Sequence, residues 1–104
     1  MVFNIDNIRE LLEEDKIQWS GHVLARMQQR GIRIADVIET IQSGEMIEYY
    51  SSDYPYPSCL ISGKCKDGKV LHVVCSIGKG YIWMITAYCP NTIEWLEDFK
   101  TRRR

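Results

Sequence analysis

The chain has 104 residues and a mass of 12.2 kDa, the length of a single domain. Its 45% hydrophobic and 11% aromatic content excludes intrinsic disorder, and no run approaches the ~18 apolar residues of a membrane helix. A net charge of −1 excludes a strongly basic polynucleotide binder by bulk charge alone. The charge is unevenly spread, however. Residues 1–53 carry ten acids and five bases, a balance of −5, and residues 54–104 carry four acids and eight bases, a balance of +4. The C-terminal half therefore permits an anionic partner, although Arg102, Arg103 and Arg104 suit a solvated terminus equally well. The start MVFNIDNIRE lacks the basic-then-apolar signature of a secretory signal. These features predict one soluble, cytoplasmic domain over residues 1–104.

The first half reads as helix. Ile5, Ile8, Leu11 and Leu12 recur at helical spacing behind a cap at Asn4 or Asp6. A second helix opens at the N-cap Ser20 and stops at Gly31, and a third carries Ile34, Val37, Ile38 and Ile41 before Gly44. Arg33, ahead of that third helix, stands where a Ser, Thr or Asp cap is expected.

Beyond Gly44 the period changes from helical to alternating. Glu45–Ser51 reads as a strand, and Ser51–Ser58, with Pro55 and Pro57, as a loop. Cys59–Cys65, Val70–Ile77 and Tyr81–Tyr88 read as three more strands. Asp67-Gly68 signals a two-residue hairpin and Gly78-Lys79-Gly80 a three-residue one. Pro90-Asn91-Thr92 and Glu94 predict a short final helix, with Trp95 and Phe99 one turn apart. The expected fold is α+β: N-terminal helices packed on a four-stranded antiparallel meander, with a short C-terminal helix. In the register that these turns impose, Leu60, Leu71, Val73, Cys75, Ile77, Tyr81, Trp83, Ile85 and Ala87 lie under the helices. His72 then faces Thr86 directly on the open face, with Tyr88 one step along and space beside Gly63.

Four cysteines at 59, 65, 75 and 89 form no C-x-x-C pair, so they read as reduced thiols beside strands and not as a zinc or thioredoxin motif. No metal or cofactor site is implied. Serine-hydrolase, phosphate-loop, dinucleotide and zinc-protease motifs are all missing.

Two polar groupings are left. His22, Arg26 and Arg30 fall at i, i+4, i+8 on the second helix and form one ridge. The ridge could pack and pair with acids such as Glu39, or hold a phosphate between guanidinium groups with His22 as proton carrier. His72, Thr86 and Tyr88 form the other grouping, which is either a satisfied hydrogen-bond network or a site. Tyr49, Tyr50, Tyr54 and Tyr56, around the Pro-containing loop, also suit a protein contact.

The segments H-V-L-A-R-M-Q-Q-R-G-I (22–32), D-V-I-E-T-I-Q-S-G-E-M-I-E-Y (36–49), L-H-V-V (71–74), I-T-A-Y-C-P (85–90) and W-L-E-D-F-K-T-R (95–102) resemble, in order, family 4258 of domains of unknown function. That family in turn resembles small RNA-cleaving toxins of the RelE and MqsR kind. The resemblance implies a RelE-like fold and a metal-independent endoribonuclease needing no cofactor. It also implies neutralisation by a cognate antitoxin, often a zinc-binding one. Metal-free RNA cleavage needs a base for the 2′-hydroxyl, a cation for the phosphorane charge and an acid for the leaving oxygen. His22, Arg26, His72, Thr86 and Tyr88 are the expected catalytic residues, and Arg30, Lys64, Lys79 and Arg102 the expected RNA contacts. The rival expectation is a non-catalytic protein- or nucleic-acid-binding module using the same sheet face.

Overall fold

The computed structural model describes residues 3–103 and has an α+β architecture of three helices and a five-stranded mixed sheet. Helix α1 (Ile5–Glu13) starts where the Asn4 side chain accepts the Asn7 backbone N–H at 2.8 Å. Strand β1 is two residues, Ile17–Gln18. Helix α2 (Gly21–Gln29) is capped by the Ser20 hydroxyl on the Val23 N–H, and Gly31 follows its end with a φ of +69°. Helix α3 (Ile34–Ser43) lacks a side-chain acceptor at Arg33, since a guanidinium has none to offer. Asp36, three residues on, compensates by accepting the Arg33 backbone N–H at 2.9 Å and pairing with its guanidinium at 3.0 Å.

Strands β2 (Glu45–Tyr50), β3 (Ser58–Lys64), β4 (Val70–Gly78) and β5 (Tyr81–Tyr88) form an antiparallel meander. The sheet order is β1-β5-β4-β3-β2, with β1 pairing parallel to β5 through Ile17–Ile82 and Gln18–Trp83. The expectation of four strands, all antiparallel, is corrected by β1, which is too short to leave a periodic signal. Ile8, Leu11, Val23, Met27, Val37 and Ile41 pack onto one sheet face, which supplies Cys59, Ile61, Leu71, Val73, Cys75, Ile82, Met84 and Ala87.

Both hairpin registers differ from expectation by one residue. Cys65 and Lys69 close the first, leaving Lys66, Asp67 and Gly68 as a three-residue loop with Gly68 at φ +84°. The second is the tight two-residue turn, because Lys79 and Gly80 both take positive φ and Gly78 pairs with Tyr81. These slips turn Leu60, Tyr81, Trp83 and Ile85 away from the helices and bring Met84 under them. Ile85 is then an extra residue between Met84, opposite Cys75, and Thr86, opposite Val74. That bulge resets the alternation, so Thr86 and Tyr88 share the open face with His72.

No final helix forms. Asn91 accepts the Ile93 and Glu94 N–H groups as a helix cap would, but the chain turns back on itself. Trp95 bridges to Arg102, the Leu96 N–H donates to the Thr101 carbonyl, and Phe99 takes φ +54°. This C-terminal strap lies over one end of the open face. No helix among the described residues is long and apolar enough to cross a membrane.

Candidate functional site

Ser62, His72 and Tyr88 form one row across β3, β4 and β5. His72 is therefore opposite Tyr88 and not Thr86, and Gly63 is on the other face. The expected space beside the imidazole is filled by the strap, and His72 is 0% exposed. Its Nε2 lies 2.7 Å from the Phe99 carbonyl, which also accepts the Ser62 hydroxyl at 3.1 Å. A carbonyl can only accept, so Nε2 carries the proton and Nδ1 accepts the Tyr88 hydroxyl at 3.3 Å. Trp95, 1% exposed, stands edge-on to the imidazole at 4.7 Å. Burial lowers the His72 pKa below its ordinary value, against the opposing pull of the Phe99 carbonyl. Burial likewise raises that of the half-buried Tyr88.

The cover is pinned by charge. Arg102 donates to both carboxylate oxygens of Glu48, at 2.6 and 3.0 Å, and lies 4.5 Å from the centre of the Trp95 ring. Tyr50 donates its hydroxyl to the same carboxylate. The Arg102 hydrogen bond holds the Glu48 carboxyl below its usual range, whereas burial pushes the Tyr50 phenol up to about 12.

The α2 ridge lies on the helix side of the sheet, with His22, Arg26 and Arg30 all exposed. Arg30 crosses to the strand layer by reaching the outer edge of β5, which β1 covers only at Ile82 and Trp83. Its guanidinium donates to the Thr86 hydroxyl at 3.1 Å and the Ala87 carbonyl at 2.8 Å. The structure thus joins Arg30, Thr86 and, two residues along the strand, Tyr88. It does not bring Arg26 to His72: with both ring nitrogens engaged and the ring sealed, no anion can be shared between them.

The remaining expected RNA contacts are dispersed. Lys64 is at the β3–β4 end of the sheet, lining a cleft of about 530 Å³ that also includes the Lys100–Glu45 ion pair. Lys79 is at the opposite end, in the β4–β5 turn. Arg102 is committed to Glu48, Arg103 donates to the Thr92 carbonyl at 2.7 Å, and Arg104 lies outside the described residues. Nothing in the sequence pattern marks Glu48, Trp95 or Phe99 as part of this site. Each meets His72 or its cover across at least 23 residues of chain, a separation that spacing does not reveal. Among the described residues no group of three or more His, Cys, Asp and Glu side chains converges as a metal site would. Cys59, Cys65 and Cys75 are buried free thiols, and Cys89 is an exposed one.

The family described as "Domain of unknown function (DUF4258)" matches residues 19–89, more than half of the chain. The chain belongs to that family. The DUF4258 segment contains His22, Arg26, Arg30, His72, Thr86 and Tyr88, whereas Trp95, Phe99 and Arg102 of the strap lie beyond it. No curated protein and no solved structure matches the chain.

Proposed function

We propose that the chain is the toxin of a toxin–antitoxin pair: a cytoplasmic endoribonuclease that needs neither metal nor cofactor and is neutralised by a cognate antitoxin protein, which in toxins of this kind is often a zinc-binding one. Helices ahead of a four-strand antiparallel meander support the likeness to RelE and MqsR toxins, as an analogy of fold. The observation that carries the proposal is the Arg30 bridge to Thr86 and Ala87. It joins a cationic helix ridge to the strand bearing Tyr88, and Tyr88 is hydrogen-bonded to an imidazole whose tautomer is fixed.

In this reading RNA meets Tyr88, and His72 acts through it. Arg26 and Arg30 hold the phosphate. The 2′-hydroxyl passes its proton to the Tyr88 oxygen as Tyr88 passes its own to Nδ1 of His72, with Nε2–H steadied by the Phe99 carbonyl. The 2′-oxygen bonds to phosphorus, the bond to the 5′-oxygen breaks, and that oxygen takes a proton from solvent water, whose hydroxide is neutralised as His72 returns its proton through Tyr88. His22, expected as the proton carrier, lies about 12 Å along α2 from Arg30 and takes no part in this step. The products are a 2′,3′-cyclic phosphate and a 5′-hydroxyl. Single-stranded RNA incubated with the chain in EDTA should be cut, and a 2′-deoxy substitution at the cut position should abolish cleavage there. Cutting on the deoxy substrate at the same bond would refute the mechanism.

A second reading, a non-catalytic binding module, is favoured by the complete burial of His72. It predicts binding of RNA or of a protein partner with no product at any pH.

A further inference from the structure

Beyond the bulge, toward the β4–β5 turn, the open face is apolar and aromatic. Tyr81, Trp83 and Ile85 are 38%, 36% and 45% exposed, and no helix covers them. The Trp83 ring is held in place: its Nε1–H donates to the Gly78 carbonyl at 2.8 Å, and Tyr56 stacks on it at 6.3 Å with planes 25° apart. Tyr56 in turn lies where a side chain on Gly78 would be, 2.4 Å from the place of its Cβ. Tyr54, 95% exposed, and Pro55 complete a groove of about 600 Å³ with Tyr56, Ser76, Trp83 and Ile85.

Cations stand at both ends of this row on β5. Lys79 is exposed in the turn before Tyr81, and Arg30 is fixed on Thr86, directly after Ile85. Asp53, at the rim, accepts the Ser58 hydroxyl and is the acid of the groove.

We infer that this groove is a base-stacking subsite for single-stranded RNA, with Lys79 and Arg30 taking phosphates on either side of the stacked bases. The inference rests on the RNA-directed reading above and names where its substrate lies. Exposed rings, that of Trp83 held in place, offer faces on which any base can stack, and flanking cations suit a phosphate backbone. A proline-rich peptide would fill the rings but have no use for the cations. From Trp83 to Tyr88 is five residues, about 16 Å along a strand, so a short oligonucleotide stacked here reaches the proposed cleavage point. A duplex, with its base faces already stacked, does not fit.

The test is titration of the full chain with a fluorescent 2′-O-methyl RNA octamer, which has no 2′-hydroxyl and cannot be cut. The octamer should bind, and Trp83→Leu should weaken it about tenfold, the order expected for one lost stack. Tyr54→Ala should do the same, and at such an exposed position it leaves folding unchanged. Unaltered affinity in Tyr54→Ala, equal competition by a duplex of the same sequence, or Trp83-dependent binding of a proline-rich peptide in place of the octamer would each overturn the subsite. A chain that cuts RNA but binds the octamer regardless of these rings loses the subsite and keeps the activity. One that binds through the rings without cutting RNA keeps the subsite and loses the activity.

Discussion

A neutral His72 fits its surroundings at pH 7, with Nε2–H on the Phe99 carbonyl and Nδ1 accepting from Tyr88. Its pKa is lowered in the fold, whereas the unfolded imidazole takes a proton near the ordinary value of about 6.5. Just below that pH the unfolded chain binds more protons than the folded one, so stability falls as pH falls. The carboxylates held low, Glu48 first among them in this cluster, add their own loss only below about 4.5. Chemical denaturation between pH 7 and 5 should therefore show declining stability in the wild type and a flatter profile in His72→Gln. The variant should itself cost about 1–3 kcal/mol at pH 7, through imperfectly satisfied buried partners. An unchanged pH slope in His72→Gln would show that another group is responsible. Trp95 is a second test of the cover. Trp95→Ala should destabilise by about 3–5 kcal/mol as a buried aromatic truncation, and an NMR titration should find His72 shifted toward an ordinary pKa. A Tm within a degree of wild type would contradict the placement of that ring.

Contacts between elements decide how closely the helices approach the sheet. Gly44, at the end of α3, and Gly63, in β3, touch backbone to backbone. A Cβ on Gly63 would be 2.9 Å from the Gly44 Cα and 3.0 Å from the Thr40 carbonyl oxygen. Neither neighbour is a flexible side-chain tip, so Gly63→Ala should cost about 1–3 kcal/mol by overpacking, measured as a fall in the denaturation midpoint. A neutral result would mean that α3 can lift freely from β3. Arg9 of α1 strengthens the same junction by donating to the Ile41 and Gly44 carbonyls at 3.0 and 2.6 Å. The three helices, the cap at Ser20 and the four long strands are legible, because each has its own periodicity and punctuation, whereas the choice between Asn4 and Asp6 as the first cap is made only by the structure. The register is not legible. Asp67-Gly68 and Lys79-Gly80 are both good turn sequences, and local propensity does not say which hairpin takes the extra residue. The bulge at Ile85 is also silent in sequence, yet it returns Thr86 and Tyr88 to the face of His72. The sequence expectation groups the same three residues through a different register, with His72 opposite Thr86 where the structure pairs it with Tyr88.

At the scale of the whole molecule, the open face has two regions: a sealed polar row under the strap and an exposed aromatic groove toward the β4–β5 turn. Arg30 holds the edge between them. The strap was illegible because Asn91, Thr92 and Glu94 carry a helix-start signature, while Glu48, His72 and Ser62, which reward the alternative hairpin, are distant in sequence. In the proposed mechanism, the cover over His72 moves the point of contact with RNA outward to Tyr88. The direct measurement is the rate of cleavage of labelled single-stranded RNA in EDTA by the wild type, Tyr88→Phe and Arg26→Ala, at a temperature where all three are folded. Cutting by the wild type is expected, with a loss of at least about tenfold in each variant, within the range of a positioned proton-transfer or charge-stabilising group. No cleavage by the wild type, or equal rates in all three proteins, would contradict the proposed ribonuclease site.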